Sequence, residues 1–187
     1  MEAFIDYIRT FYPVSDEAAQ ALVKITSQLR YKKNTIIQPI GHTCKTIYFV
    51  KKGALRVFYK KDDKDVTDSL EFENAFVARV ESLVSGEPYH KGIEAIEDSV
   101  LYAINAEKLY ELYDKYLEIE RLFKKIFLKT FVSIYQRIES IQFHPAEVRY
   151  ANFVKEHPDV LKRVPLKYIA SFLGITQVSL SRIRAKH

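Results

Sequence analysis

Pro165–Lys186 reads PLKYIASFLGITQVSLSRIRAK, two short helical patterns that meet at Gly174. Ile169, Phe172 and Leu173 fall on one helical face. Gly174 can take the left-handed conformation a sharp exit needs, and Ile175 plugs the corner. Thr176 suits an N-cap, and Leu180 and Ile183 face back toward the first helix. Ala170 is small enough for the close crossing of a helix-turn-helix. The outward positions of the second helix are Gln177, Val178, Ser179, Ser181, Arg182 and Arg184, a polar and cationic set without a carboxylate. Such a face can meet base edges and phosphates. The same spacing also fits a plain helical hairpin, so the distribution of charge has to separate the two.

The chain has 187 residues and a formal charge of +5. Residues 144–187 hold eight Lys/Arg against three Asp/Glu, whereas residues 1–143 hold 21 of each. All the surplus positive charge therefore lies on the segment with the helix-turn-helix pattern, as expected if only that segment approaches a polyanion. At 48% hydrophobic residues the chain can build a real core. Cys44 is the only cysteine, which excludes an intrachain disulfide and a cysteine cage for zinc or an iron–sulfur cluster. MEAFIDYIRTFYP lacks a basic start and a long apolar stretch, and the longest charge-free run, Tyr168–Ser181, is too short and polar to span a bilayer. A cytoplasmic location is expected.

Periodicity predicts helices over 2–11 and 16–29, the second capped by Ser15 with Asp16 and Glu17 in its first turn. From Thr35 to about Ile104 the pattern changes to short β-rich runs: TIIQPI, TIYFVKKGALRVFY, DVTDSLEF, AFVARV, GIEAI and SVLYAI. Strands this short and evenly spaced predict a small antiparallel roll or barrel. Asn105 then caps one long helix from about Ala106 to Gln142. Leu112, Tyr116, Ile119, Phe123 and Ile126 follow a 4,3,4,3 spacing, and Phe127, Phe131, Ile134, Ile138 and Ile141 repeat it after a one-residue offset. The offset breaks a single heptad frame, so one stripe is expected on the β-roll and another on a second copy of the helix. Pro145 opens a new helix running to about Glu156, and a short turn from Asp159 to Val164 leads into the terminal motif. The fold class is α+β. Its expected parts are a roll with flanking helices over 1–105, a connecting and dimerising helix over 106–143, and a helix-turn-helix domain over 144–187.

In this order, IYFVKKGALRVFY, IEAIEDSVLYAI, a long helix and IASFLGITQVSLSRIR resemble the cyclic-AMP-receptor/FNR (Crp/Fnr) family of bacterial transcription regulators over nearly the whole chain. RYANFVKEHPDVLKRVPLKYIASFLGITQVSLSRIR, from Arg149 to Arg184, is especially similar to a short-winged branch common in Bacteroidetes. The resemblance implies a roll like a cyclic-nucleotide-binding domain and a homodimer joined through the long helix. It also implies two recognition helices entering successive major grooves of double-stranded DNA, about 34 Å apart. The family's base-reading positions correspond to Gln177, Val178 and Arg182. Arg182 could grip guanine O6 and N7, Gln177 could pair with adenine, and Val178 offers only apolar contact. Lys167, Thr176, Ser179, Ser181, Arg184 and Lys186 are placed for phosphates. An activator of this kind also touches RNA polymerase.

The departures concern the effector. Family members that bind cyclic nucleotides cradle the ribose and cyclic phosphate with a Gly-Glu pair and an Arg-Ser/Thr-Ala triplet. Reading back without gaps from IEAIEDSVLYAI puts Ala78-Arg79 and Tyr89-His90-Lys91 at those places. A cyclic phosphate would lose its bidentate arginine, and the ribose hydroxyl would face a cation. Family-type nucleotide binding is therefore expected to be lost, and Arg79, Tyr89, His90 and Lys91 become candidates for a pocket for another small anion. No cofactor and no metal are expected. A cupin-type centre would need a His-x-His pair with a nearby Glu, and the chain offers His42-Thr43-Cys44. No Gly-x-Ser-x-Gly occurs, and the scattered histidines share no motif, so an enzyme is not expected. The competing reading is a sensing or interaction β-roll protein whose helix-turn-helix no longer binds DNA.

Overall fold

The computed structural model describes residues 1–62 and 64–185. Two short helices open the chain, α1 (Glu2–Arg9) and α2 (Asp16–Lys24). Ser15 caps α2 by accepting from the Ala18 N–H at 3.2 Å, and its hydroxyl donates to Glu118 at 2.5 Å, so the predicted cap also ties the N-terminus to a distant helix. The predicted helix over 16–29 stops at Lys24. Thr26–Tyr31 is instead strand β1, paired antiparallel with β8 (Ser99–Asn105) from Thr26↔Ile104 to Tyr31↔Ser99. A free strand edge that can satisfy six residues of backbone outweighs the weak helical pattern of TSQLRY.

The roll consists of β1 with β2 (Ile36–Gln38), β3 (Thr46–Lys52), β4 (Leu55–Lys61), β5 (Lys64–Glu71), β6 (Phe76–Val77), β7 (Lys91–Ala95) and β8. They form two four-stranded sheets in the orders β1-β8-β3-β6 and β2-β7-β4-β5, with antiparallel pairing throughout. Val50, Leu55, Val57, Ile93 and Leu101 fill the space between them. AFVARV is a strand only over Phe76–Val77; Val80–Ser85 forms α3 between β6 and β7.

The predicted single helix over 106–142 is two helices, α4 (Ala106–Lys115) and α5 (Leu117–Phe143), separated by Tyr116 in an extended conformation (φ −133°, ψ 91°). No proline or glycine marks this break. Tyr116 packs against the helix cluster, and its hydroxyl donates to Glu17 at 2.9 Å, so tertiary contacts impose the break. The bend lets both helices lie on the same sheet. Leu109 and Leu112 of α4 and Ile119, Leu122, Phe123 and Ile126 of α5 pack with Phe4, Ile8, Leu22, Phe49 and Tyr102.

That packing corrects part of the expected dimer seam. Leu112, Ile119, Phe123 and Ile126 are buried in the chain's own core, and Tyr116 sits at the junction. The second stripe behaves otherwise: Phe127, Phe131, Ile134, Ile138 and Ile141 are 43–56% exposed. The chain then forms α6 (Ala146–Glu156), α7 (Val160–Arg163), α8 (Leu166–Phe172) and α9 (Gln177–Arg184). Pro145 is the N-cap of α6 and not its first residue. The helices around α8 and α9 share a core of Phe153, Val160, Ile169, Leu173, Leu180 and Ile183 with Ala54, Leu70 and Ile96 of the roll.

Candidate nucleic-acid interface and effector pocket

Helices α8 and α9 meet at the turn the sequence predicts. Gly174 adopts φ +68°, its N–H donates to Ser171 at 3.0 Å, and the Ile175 N–H reaches back to Ala170 at 3.0 Å. These two bonds close the left-handed helix end that only glycine adopts without strain. Thr176 caps α9 by accepting from the Ser179 N–H at 3.1 Å. Leu180 and Ile183 are buried, whereas Gln177, Val178, Ser181, Arg182 and Arg184 point to solvent. Val178, an apolar residue, is 61% exposed.

The residues expected to touch phosphate are distributed unevenly. Ser181 and Arg184 are exposed on α9, the first next to Arg182 and the second one residue beyond Ile183, among the positions expected to read bases. The hydroxyls of Thr176 and Ser179 lie 2.9 Å apart and serve the cap first. Lys167 lies on α8, with its ammonium 4.7 Å from the Tyr168 ring, and it helps to hold down the Asp65 pKa. Its charge therefore faces the roll as well as solvent. Lys186 lies outside the described residues.

Part of the basic surplus is spent internally. Arg149 donates to the carbonyl of Leu173 at 2.8 and 3.2 Å and to that of His144 at 2.6 Å, fixing the α8 end to the end of α5. Arg163 forks onto Glu73 and Glu97 of the roll at 2.8 and 2.5 Å. Arg56, buried in the roll, pairs with Glu94 at 2.5 Å and with Asp65, and its guanidinium stacks 3.9 Å from the Tyr168 ring of α8. The Thr67 N–H donates to Ser171 of α8 at 2.8 Å. These contacts clamp α8 on the roll and leave the outward face of α9 free. Charge counting could not find them, because it does not say which arginines turn inward.

This clamp is expected to weaken on acidification. His157 lies between Phe72 and Phe153, with ring centroids at 4.6 and 5.3 Å, and burial pulls its pKa below the ordinary 6.5. Burial pushes the Glu73 carboxyl up, but the Arg163 hydrogen bonds and the Gly53 N–H hold it below 4.5 overall. The Arg56 hydrogen bonds hold Asp65 below 3.8 against burial. A group whose folded pKa is depressed stabilises fully above its unfolded value and loses that contribution as pH falls through the folded one. The His157 part thus declines below about 6.5, and the carboxylate part below about 4. Melting temperatures across this range check the sign; a rise on acidification would contradict it.

The structure brings together three of the four expected effector residues. The Tyr89 ring lies 4.2 Å from that of His90 and its hydroxyl donates to Glu81 at 3.2 Å, while Lys91 pairs with Asp68 at 2.9 Å. Arg79 does not join them by contact. It stands at the N-cap position of α3 without a side-chain capping bond, is 8% exposed, and its Nε has no hydrogen-bond partner among the described residues. Burial holds its pKa below the ordinary value against the nearby carboxylates of Glu81, Asp68 and Glu71, none of which was legible as a site residue.

A two-sheet roll, a helix lying on it and a turn-linked helix pair at the end make up the fold. Residues 28–116 match the cyclic nucleotide-binding domain family. No curated protein matches the sequence. FixK2 from Bradyrhizobium japonicum is similar in structure, with a TM-score of 0.74, 17% identity, and coverage of 87% of this chain and 84% of that one. A protein from Eubacterium rectale assigned to the Crp/Fnr family of transcriptional regulators gives 0.72 at 20% identity, covering 91% and 82%. The c-di-GMP-responsive global regulator CLP of Xanthomonas campestris gives 0.69 at 16% identity, covering 92% and 91%. The fold of the chain is that of these structures, among them a protein assigned to the Crp/Fnr regulators. Among the described residues no helix is long and apolar enough to cross a membrane.

Proposed function

We propose that this protein is a sequence-specific DNA-binding transcription regulator that acts as a homodimer, within the short-winged branch of the family its C-terminal phrase resembles. The observation that carries the reading is the outward face of α9, where Gln177, Val178, Ser181, Arg182 and Arg184 are exposed without a carboxylate among them. The similarity to Crp/Fnr regulators supports it. The exposed apolar stripe of α5 supports the dimer, since an unpartnered row at heptad spacing suits a second copy of the same helix.

Arg182 reads a base and Arg184 grips phosphate. Arg182→Ala is expected to weaken specific binding by about 1 to 3 kcal/mol and to relax one base position. Arg184→Ala is expected to weaken all duplexes alike and to flatten the salt dependence by about one unit of slope. Gel shifts against salt on an operator selected from genomic fragments separate the two, and identical behaviour of the variants would refute the assignment. The gapless sequence reading puts Arg79 where the family holds ribose with a carboxylate, and this supports the loss of cyclic-nucleotide binding. Titration calorimetry with cyclic AMP and cyclic GMP is expected to give no heat, and one nucleotide bound per subunit at micromolar concentration would overturn this part.

A further inference from the structure

The roll sets a second group of cations beside the helix-turn-helix. Strands β4 and β5 pair as a hairpin in which Lys60 stands opposite Asp65 and Lys61 opposite Lys64. Asp65 does not neutralise these lysines, because Arg56 holds both of its carboxylate oxygens and stacks its own guanidinium 3.9 Å from the Tyr168 ring of α8. The Lys167 ammonium lies 4.7 Å from the same ring. A chain of contacts thus runs from the hairpin through Arg56 and Tyr168 to Lys167. After Arg56, Lys167 and Lys60 both help to hold the Asp65 carboxyl below its ordinary value, so the two ammonium groups share that neighbourhood. The Thr67 N–H donates to Ser171 at 2.8 Å, which fixes β5 to α8 at a second point. Lys64 and Lys61 continue the hairpin past Asp65 to its turn at Asp62 (φ +48°).

Lys60, Lys61, Lys64 and Lys167 are all exposed, and none makes a side-chain hydrogen bond or an ion pair among the described residues. Four lysines against Asp62 and Asp63 leave a positive surplus even with both acids ionised. Such an arrangement, spread along a strand hairpin and a helix, fits a track of phosphates better than a single small anion, because each ammonium is a separate point charge on a long flexible stem. The first helix of a helix-turn-helix crosses the nucleic-acid backbone while the second enters the groove, so Lys167 of α8 lies where phosphates pass and the hairpin stands next to it. We propose that the β4–β5 hairpin of the roll is part of the DNA-binding surface, with Lys60, Lys61 and Lys64 contacting phosphates that neighbour those held by α8 and α9. These contacts add affinity without reading bases. The inference rests on the regulator reading of α9, whose own test does not involve the hairpin.

Gel shifts of the full-length protein against salt, on an operator selected from genomic fragments, test this with the triple variant Lys60→Gln/Lys61→Gln/Lys64→Gln. It is expected to bind at least about tenfold more weakly at low salt, with a salt slope flatter by about two to three units, since each phosphate contact contributes about 0.9. Its base preferences are expected to match those of the wild type. The variant Lys60→Arg/Lys61→Arg/Lys64→Arg keeps the charge and is expected to keep the slope. Lys24→Gln/Lys108→Gln/Lys115→Gln removes the same charge from exposed positions of α2 and α4, which pack in the helix cluster with Phe49 and Tyr102 of the other sheet. That control is expected to change the slope by less than about one unit, because distant charges are screened. Melting curves of the glutamine variants are expected to match the wild type, as for exposed side chains. An unchanged slope and affinity in the hairpin variant, or an equal loss in the α2/α4 control, would overturn the proposal. If Arg182→Ala weakens binding while the hairpin variant binds like the wild type, the regulator reading stands and the hairpin contact falls. If the wild type shows no salt-dependent affinity for duplex DNA, both fall.

Discussion

Replacing Phe131 and Ile134 together by glutamate is expected to turn a dimer into monomers and to weaken operator affinity by roughly 100-fold or more. Both side chains are largely exposed on α5, at 56% and 55%, so neither belongs to the chain's own core. The stripe they belong to continues through Ile138 and Ile141, while the earlier one ends at Ile126 in the roll's helix cluster. Charges in a coiled-coil seam repel across the interface and lose their hydration when buried, so association fails while each subunit stays folded. Affinity for a two-half-site operator then falls because the second recognition helix is no longer held at high effective concentration. Light scattering and gel shifts on the double variant read both effects. A wild type that is monomeric at micromolar concentration, or a variant that still dimerises, would refute the role of this stripe.

The second large effect concerns stability. Gly53 joins β3 to β4 at φ +105°, and a Cβ there would lie 2.7 Å from Ser99 Cβ and 2.8 Å from Ser99 Cα. Its N–H also donates to Glu73 at 2.9 Å, the carboxylate that Arg163 grips. Gly53→Val combines a forbidden backbone conformation, a clash with backbone and displacement of the interdomain ion pair. A loss of about 3 to 5 kcal/mol is expected, which lowers the melting temperature by roughly 10 °C for a chain of this size. Gly41 is the control: it also has positive φ (+80°), but nothing lies within 4 Å of a Cβ built there. Gly41→Ala is therefore expected to cost only about 1 kcal/mol. Equal losses at the two positions would show that the Ser99 contact is irrelevant.

Local chemistry made much of this fold legible. Ser15, Asn105 and Thr176 cap the helices they were expected to cap, each accepting from the N–H three residues on. Gly174 turns the chain where its lack of a Cβ permits, and the short β-rich runs form the roll. What was not legible depends on partners distant in sequence. The break at Tyr116 follows from packing and from Glu17, 99 residues away, and the strand at Thr26–Tyr31 exists because β8 offers an edge. The heptad offset did point to two faces on α5, but spacing alone could not say that the Leu112–Ile126 row is the one turned inward. For the same reason Arg149 and Arg163 counted as surface charge, although one holds carbonyls and the other holds Glu73 and Glu97. Arg79 could be flagged as a departure from the family's Gly-Glu pair, whereas its burial with an unpartnered Nε among the described residues appears only in the folded chain.

The central proposal is that two copies of α9 read DNA together. Selection of genomic fragments by the purified full-length protein, followed by footprinting of the bound fragments at several salt concentrations, tests it most directly. The expected result is a two-fold symmetric protected site with half-sites about 10 base pairs apart, bound by a dimer with an affinity that falls steeply as salt rises. Enrichment of no sequence by a dimeric protein, together with no salt-dependent affinity for duplex DNA, would contradict it.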